Sequence, residues 1–297
     1  MGQNLCTHSP AAQTIFDQAD SVIGTKLSSL CFYGPEEALK QTIYTQPALY
    51  TVSAAALMAL REAGAPMPQA VAGHSVGEYA ALLTADVFDF ETGLHLVERR
   101  AQEMHRATLT APGAMTAVLG LTAAQVTAVC AEASNVGLVQ AANFNGGGQV
   151  VISGTPEGVA RASEIAKTNG AKRVLPLPVS GAFHSALMAP AAEAMGFVLG
   201  DAELNAAQIP VVANVTADYE TAAADIRANL AAQIDGAVRW EESIQRLVAD
   251  GFDTFAEVGS GPVLAGLMKR IAPDAKVYVV GDMAGVQAFV DALGQGI

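Results

Sequence analysis

The chain has 297 residues, of which 51% are apolar, 15% charged and 6% aromatic, and its formal net charge is −13. Such a composition packs a large core with room for a smaller attached lobe, and it excludes a disordered segment, a coiled coil or a nucleic-acid module. At long range the negative field repels a polyanion unless a local basic patch overrides it.

Pro47 suits a first helical position and Gly64 the residue after a helix end, so the first predicted helix spans 47–63. Pro66 and Pro68 mark a loop, and the apolar run 70–73 reads as a short buried strand. It leads into Gly73-His74-Ser75-Val76-Gly77, a helix over 78–84, and a longer helix over about 90–108 that stops at Ala111-Pro112-Gly113. The middle reads as strand 115–119, helix 122–133, strand 137–143, a turn at Gly146-Gly147-Gly148, strand 149–153, helix 156–169 capped by Thr155, and strand 172–176. That βαββαβ order is the ferredoxin-like arrangement, expected as a small domain over 113–178. It interrupts a larger α/β domain made of 1–112 and 179–297. There, strands at 209–214, 254–258 and 276–280 alternate with helices at about 226–234 and 241–250, which implies a mainly parallel sheet covered on both faces.

Gly73-His74-Ser75-Val76-Gly77 fits Gly-x-Ser-x-Gly between a strand and a helix, the setting of a nucleophile elbow. The flanking positions are expected to be small, and the serine projects at the start of the next helix. There the helix dipole and a backbone N–H, that of Val76, favour a developing oxyanion. An idle serine in a Gly-rich turn is the competing reading. A serine hydroxyl needs a base. Of the histidines, His74 leaves the turn in another direction, His95 and His105 sit on the long helix, and His8 lies near the start without a motif. His184, in Ser180-Gly181-Ala182-Phe183-His184-Ser185 just after the small domain, is either a surface-loop residue or the base entering a cleft between two lobes.

On the long helix, Leu94, Val97, Ala101 and Met104 define a buried stripe. Arg99 points nearly opposite it, whereas Arg100 lies at its flank, where an arginine either pairs with a protein carboxylate or receives a ligand carboxylate. Glu257-Val258-Gly259-Ser260-Gly261-Pro262 follows a strand without the Walker lysine or the dinucleotide fingerprint, and is expected to close the site's floor. The three cysteines, Cys6, Cys31 and Cys130, form neither metal spacing nor a disulfide framework, so a reducing compartment is expected. No signal segment is recognised, and the longest apolar stretch, 48–60, is too short to span a bilayer. A cytoplasmic protein, with no metal, membrane or nucleic-acid partner, is the expectation.

Taken together, these stretches resemble the malonyl-CoA:acyl carrier protein transacylases, relatives of polyketide-synthase acyltransferase domains. The matching segments are Thr45-Gln46-Pro47-Ala48-Leu49, Gly73-His74-Ser75-Val76-Gly77-Glu78-Tyr79, Val97-Glu98-Arg99-Arg100, Ala142-Asn143-Phe144-Asn145, Gln149-Val150-Val151-Ile152-Ser153-Gly154, Gly181-Ala182-Phe183-His184 and Glu257-Val258-Gly259-Ser260-Gly261. The resemblance implies an α/β-hydrolase-like large domain carrying the ferredoxin-like insert. It implies Ser75 as the acyl-accepting serine, His184 as its general base, Arg100 as the ligand of the malonyl carboxylate and Asn143 as a residue lining the substrate cleft. It further implies that a backbone carbonyl, here expected from about Arg239, orients the histidine in place of an aspartate, and that Ala182-Phe183 belongs to the malonyl-selecting form. Malonyl-CoA and acyl carrier protein are the implied partners, and coenzyme A and phosphopantetheine enter only as parts of substrates. The family's pattern opens with a strand and a Gly-Gln-Gly-Ser-Gln loop that gives a second oxyanion donor, whereas Met1-Gly2-Gln3-Asn4-Leu5 resembles the residues just after that loop. Both are expected to be missing here, which leaves an inactive carrier-binding protein as one alternative. A serine hydrolase and a polyketide-serving acyltransferase are the others. Lys167, Lys172 and Arg173, with Lys269 and Arg270, are candidates for a carrier-docking face.

Overall fold

The computed structural model describes residues 1–179 and 181–294. Ser180, at the head of the expected histidine loop, and residues 295–297, at the end of the expected large domain, lie outside the described residues. Four helices that sequence patterning did not distinguish come first: α1 (Gln3–His8), α2 (Pro10–Ile23), α3 (Leu27–Tyr33) and α4 (Glu36–Leu39). Ser9 starts α2 by accepting the Ala12 N–H on its hydroxyl, with Pro10 in the first turn. Leu5 and Phe16 reach the main core from these helices.

Helix α5 (Thr42–Glu62) begins a turn earlier than the sequence suggests, with Pro47 inside it. Proline there forgoes one backbone bond, to the carbonyl four residues back. The additional turn carries Gln46, whose Oε1 accepts from Arg100 Nη1. Strand β1 (Val71–Ala72), α6 (Gly77–Thr84) and α7 (Phe90–Thr110) follow. Asp89 caps α7 through the Thr92 N–H, and α7 packs its apolar stripe on α5 and α2.

The next segment is β2 (Ala114–Leu119), α8 (Ala123–Ala133), β3 (Val139–Phe144), β4 (Gln149–Gly154), α9 (Pro156–Thr168) and β5 (Arg173–Pro176). Its strands form one antiparallel sheet in the order β3-β4-β2-β5, the ferredoxin-like order. Gly146, Gly147 and Gly148 all have positive φ and make the β3–β4 turn. Val118, Val126, Ile152 and Ile165 belong to a core of this segment's own.

A short 3-10 turn, Ala186–Met188, leads to α10 (Ala189–Asp201), β6 (Val211–Val212), β7 (Tyr219–Glu220), α11 (Ala223–Gln233) and α12 (Trp240–Ala249). Strand β8 (Thr254–Val258), α13 (Val263–Ile271), β9 (Lys276–Val280) and α14 (Met283–Gly294) complete the described chain. β1 pairs parallel with β6 and β8 with β9, while β7 adds antiparallel to β6. The expected strand 209–214 contracts to Val211–Val212. Pro210 has no N–H to offer a ladder, and the Ala213 N–H turns away to the Asp218 carbonyl. Among the described residues no helix is long and apolar enough to cross a membrane.

Candidate active site

The elbow is strained at the serine itself. Ser75 has φ 53°, the left-handed region that costs a side-chain-bearing residue about 1–2 kcal/mol. Asn214, buried just beyond β6, holds that conformation: its Oδ1 accepts the Ser75 N–H at 2.7 Å and its Nδ2 donates to the Gly73 carbonyl at 2.6 Å. Gly73 is sterically required, because a Cβ there would lie 2.0 Å from the Gly77 carbonyl carbon and oxygen. Gly77 is not, since a Cβ there would meet nothing within 4 Å, so only one of the two flanking positions has to be small. The Gly77 and Glu78 N–H groups bond back to the His74 and Ser75 carbonyls. No acceptor among the described residues takes the Val76 N–H, which stands at the head of α6.

Three side chains meet at this turn. The Ser75 Oγ lies 2.8 Å from His184 Nε2 and accepts from Arg100 Nη2 at 3.0 Å. His184 is buried and itself left-handed, at φ 58°. Its Nδ1 faces two backbone carbonyls, Gln233 at 2.8 Å and Gly236 at 3.2 Å, which place the proton on Nδ1 and leave Nε2 free to accept. Arg100 is 1% exposed and pairs with no carboxylate among the described residues. Its Nη1 donates to Gln46 Oε1, its Nη2 also donates to Gln233 Oε1 at 2.8 Å, and its Nε has no partner among the described residues. The guanidinium carbon sits 5.8 Å from the centre of the Tyr79 ring. Arg99, in contrast, turns outward and pairs with Glu103.

Burial sets the electrostatics. It pushes the His184 imidazole down to about 3, with the Arg100 charge as the second cause, so the base is neutral at physiological pH. Burial also lowers Arg100, and it raises Glu78 to about 8, helped by Glu220. Glu78 is fully buried under the elbow, where Gln233 Nε2 donates both to its carboxyl and, at 3.0 Å, to the Ser75 carbonyl.

Some expectations need correction. Arg239 does not orient the histidine. Its carbonyl is taken by the Ser243 N–H in the first turn of α12, and its exposed guanidinium pairs with Glu242. The carbonyls that do the orienting belong to the end of α11 and the residues just after it. Asn143 is buried on β3 at a bulge and bridges to Val238 through the backbone, and its side chain makes no hydrogen bond to Ser75, His184 or Arg100 among the described residues. His74 turns away from the serine to Asn145 Oδ1, at 2.9 Å, and packs against Trp240. Glu257 caps α13 through the Leu264 and Ala265 N–H groups. Gln46, Asn214 and Gln233 were not assigned roles from sequence. Gln46 falls inside Thr45-Gln46-Pro47-Ala48-Leu49, but Asn214 and Gln233 reach the site across more than a hundred residues, with no local pattern to mark them.

Comparison with known proteins places the chain in a family. The profile of the acyl transferase domain family matches residues 1–288. A malonyl CoA-acyl carrier protein transacylase of Bacillus subtilis (strain 168) is 46% identical over 296 residues, spanning 99% of this chain and 92% of that protein. The crystal structure of an acyl-carrier-protein-S-malonyltransferase from Bartonella henselae superposes with a TM-score of 0.96 at 40% identity, covering 99% of this chain and 95% of that one. A type II PKS acyl-carrier protein in complex with its malonyl-transacylase offers a further match, with a TM-score of 0.95 at 40% identity over 98% of this chain and 94% of that one.

Proposed function

Because the chain belongs to the acyl transferase domain family, we propose that it transfers a malonyl group from malonyl-CoA to the phosphopantetheine thiol of an acyl carrier protein through a malonyl ester on Ser75. The observation that carries this reading is a buried arginine with no carboxylate partner among the described residues, bonded directly to the candidate nucleophile. A hydrolase has no use for such a charge, and the carbonyls at His184 Nδ1 stand where a hydrolytic triad would present an acid.

In the first half-reaction His184 Nε2 takes the Ser75 hydroxyl proton as Oγ attacks the thioester carbonyl. The Val76 N–H faces the developing oxyanion at the positive end of α6. Collapse expels the coenzyme A thiolate, which recovers the proton from His184, and leaves the malonyl ester with its carboxylate on Arg100. In the second half-reaction His184 takes the proton of the carrier thiol, sulfur attacks the ester, and Ser75 regains its proton from His184. The organic cofactor enters within the substrates, and the chemistry draws on no metal. Intact-mass measurement after mixing with malonyl-CoA tests the reading: an adduct on Ser75, lost in Ser75→Ala, supports it, and a folded protein without adduct refutes it. Asn143 is the cleft-lining residue of this reading, and residues 113–178 form the inserted lobe, supported by their separate core. The reading also places the protein in the cytoplasm, in keeping with three free cysteines among the described residues.

The carrier docks on the basic face. Lys167, Lys172, Arg173, Lys269 and Arg270 have no carboxylate within ion-pair distance among the described residues. Lys172 lies against Gly120 and Arg270 against Gly147, and these two glycines help line one groove of about 440 Å³ together with Glu241. A carrier with an acidic surface and a phosphate at the root of its arm complements that rim. Combined Lys172→Glu and Arg270→Glu raises KM for the carrier, and an unchanged KM removes these residues from the interface. A fatty-acid carrier is the proposed acceptor. A polyketide carrier is the second reading, favoured by the similarity to the complexed malonyl-transacylase, and transfer rates to the two carriers separate them.

A further inference from the structure

The loop that presents His184 is held from the other side of the site by a residue with no part in the mechanism above. Gln140 is half-buried on β3, in the ferredoxin-like sheet, where it pairs in register with Ser153. Its side-chain amide spans the histidine loop as a peptide group would. Oε1 accepts the Ala186 N–H at 3.1 Å, and Nε2 donates to the His184 carbonyl at 3.4 Å. The two backbone groups bracket Ser185, whose own hydroxyl is turned inward to the Ala182 carbonyl at 2.6 Å.

This clamp sits where the backbone most needs one. His184 is left-handed, a conformation that a side-chain-bearing residue keeps only when its surroundings over-determine it. The imidazole is fixed at Nδ1 by the Gln233 carbonyl at the end of α11 and the Gly236 carbonyl three residues on, but those contacts act on the ring, not on the main chain. Among the described residues, the side-chain hydrogen bonds to the main chain from Ala182 to Ala186 come from Gln140 and Ser185, and Ser185 also accepts the Leu187 N–H. Of the two, only Gln140 comes from a different element. We propose that Gln140 is a positioning residue, which keeps the His184 imidazole at attack distance from Ser75 by hydrogen-bonding the backbone on both sides of Ser185. Through it the alignment of the general base depends on how the ferredoxin-like sheet is seated against the rest of the chain. The inference rests on His184 acting as the base in acyl transfer.

The charged and titratable groups around the imidazole are Arg100 from α7 and His74 from the elbow, with Ser75 at Nε2, while Glu78 of α6 lies beyond the Gln233 amide. None of them is touched by a change at Gln140, so a shift in the pH profile reports the loop. Gln140→Leu removes both bonds, and Gln140→Glu keeps the acceptor for the Ala186 N–H while losing the donor. Single-turnover malonylation of Ser75, followed by intact mass, slows by about 10- to 100-fold in Gln140→Leu, with an intermediate rate in Gln140→Glu and an unchanged KM for malonyl-CoA. The acid limb of kcat/KM moves to higher pH in Gln140→Leu, because a loosened ring regains solvent and with it affinity for a proton. Amide exchange at residues 182–187 becomes faster in the same variant. Wild-type rate and limb in Gln140→Leu overturn the proposal, as does a loss that disappears when rates are corrected for folded fraction by thermal melting. If the wild type forms no malonyl-serine, it is the acyl-transfer reading that fails. Amide exchange then still decides the clamp: faster exchange in Gln140→Leu retains it and unchanged exchange rejects it.

Discussion

Replacing Arg100 by methionine separates carboxylate recognition from the rest of catalysis. The guanidinium is 1% exposed and hydrogen-bonds Gln46, Gln233 and Ser75, so the substrate carboxylate that it receives is desolvated with it. Removing one partner of a buried charge pair costs about 3–5 kcal/mol, which at about 1.4 kcal/mol per decade is about 10²- to 10⁴-fold in kcat/KM for malonyl-CoA. Acetyl-CoA has no carboxylate to lose. The Arg100 charge also holds the His184 imidazole down, so its removal makes the base stronger. The kcat/KM for acetyl-CoA therefore holds or rises in Arg100→Met. The assay is transfer of each acyl group to the carrier, with thermal melting in parallel, since the Gln46 and Gln233 amide oxygens lose a donor. Equal losses for the two substrates would refute the reasoning, because Arg100 would then be serving the fold or the serine alone.

The pH profile carries a second expectation. His184 works as the neutral base and its affinity for a proton is lowered to about 3, so kcat/KM stays flat well below the ordinary histidine value, and an acid limb near pH 6.5 contradicts the site's burial. Once malonyl occupies Arg100 that suppressing charge is neutralised, so the limb in kcat lies at higher pH than the limb in kcat/KM. For stability, Glu78 is raised to about 8 from 4.5, so between those values the folded state holds a proton that the unfolded state has released, and stability falls as pH rises. Glu78→Gln therefore melts higher than wild type at pH 8 and loses that advantage at pH 4, and an identical difference at both rules out a titrating Glu78. Asn214→Ala frees the strained Ser75 backbone and leaves the Gly73 carbonyl and Ser75 N–H without their partner, a loss of about 1–3 kcal/mol in unfolding by denaturant together with slower adduct formation. Unchanged adduct formation would mean that the elbow holds its own shape.

Sequence alone revealed the parts of this protein whose cause is local. A Gly-x-Ser-x-Gly between an apolar run and a helix is a short-range signal, and so is the alternation of strands and helices that resolves into the ferredoxin-like sheet. Within the first thirty-nine residues α1, α3 and α4 are four to seven residues long, too short to show a period, but α2 was legible: Ser9-Pro10 is a start signal, and Ala12, Ile15, Phe16 and Ala19 fall on one helical face over fourteen residues. Pro47 misled by resembling a first-turn proline. The expected strand at 209–214 failed at Pro210. The orienting carbonyl could not be placed, because a main-chain acceptor leaves no mark on residue type. Reading it onto Arg239 followed family spacing, and the chain instead delivers it six and three residues earlier, at Gln233 and Gly236.

That last arrangement bears on how the enzyme is dissected. Every side chain at the centre can be erased by substitution, but the oxygens facing His184 Nδ1 belong to the peptide backbone: the Gln233 oxygen survives any side-chain change there, and the Gly236 oxygen can only be shifted, since a Cβ at that position would lie 2.5 Å from the Ala232 carbonyl oxygen. A scan through 233–236 would register the loss of the Gln233 amide and a backbone clash at Gly236, and would leave the Gln233 carbonyl, the nearer anchor of the imidazole, untested. Exposing it calls for editing the amide itself, for example by ester replacement of the bonds that carry those oxygens, which weakens the acceptor while leaving every residue's side chain in place.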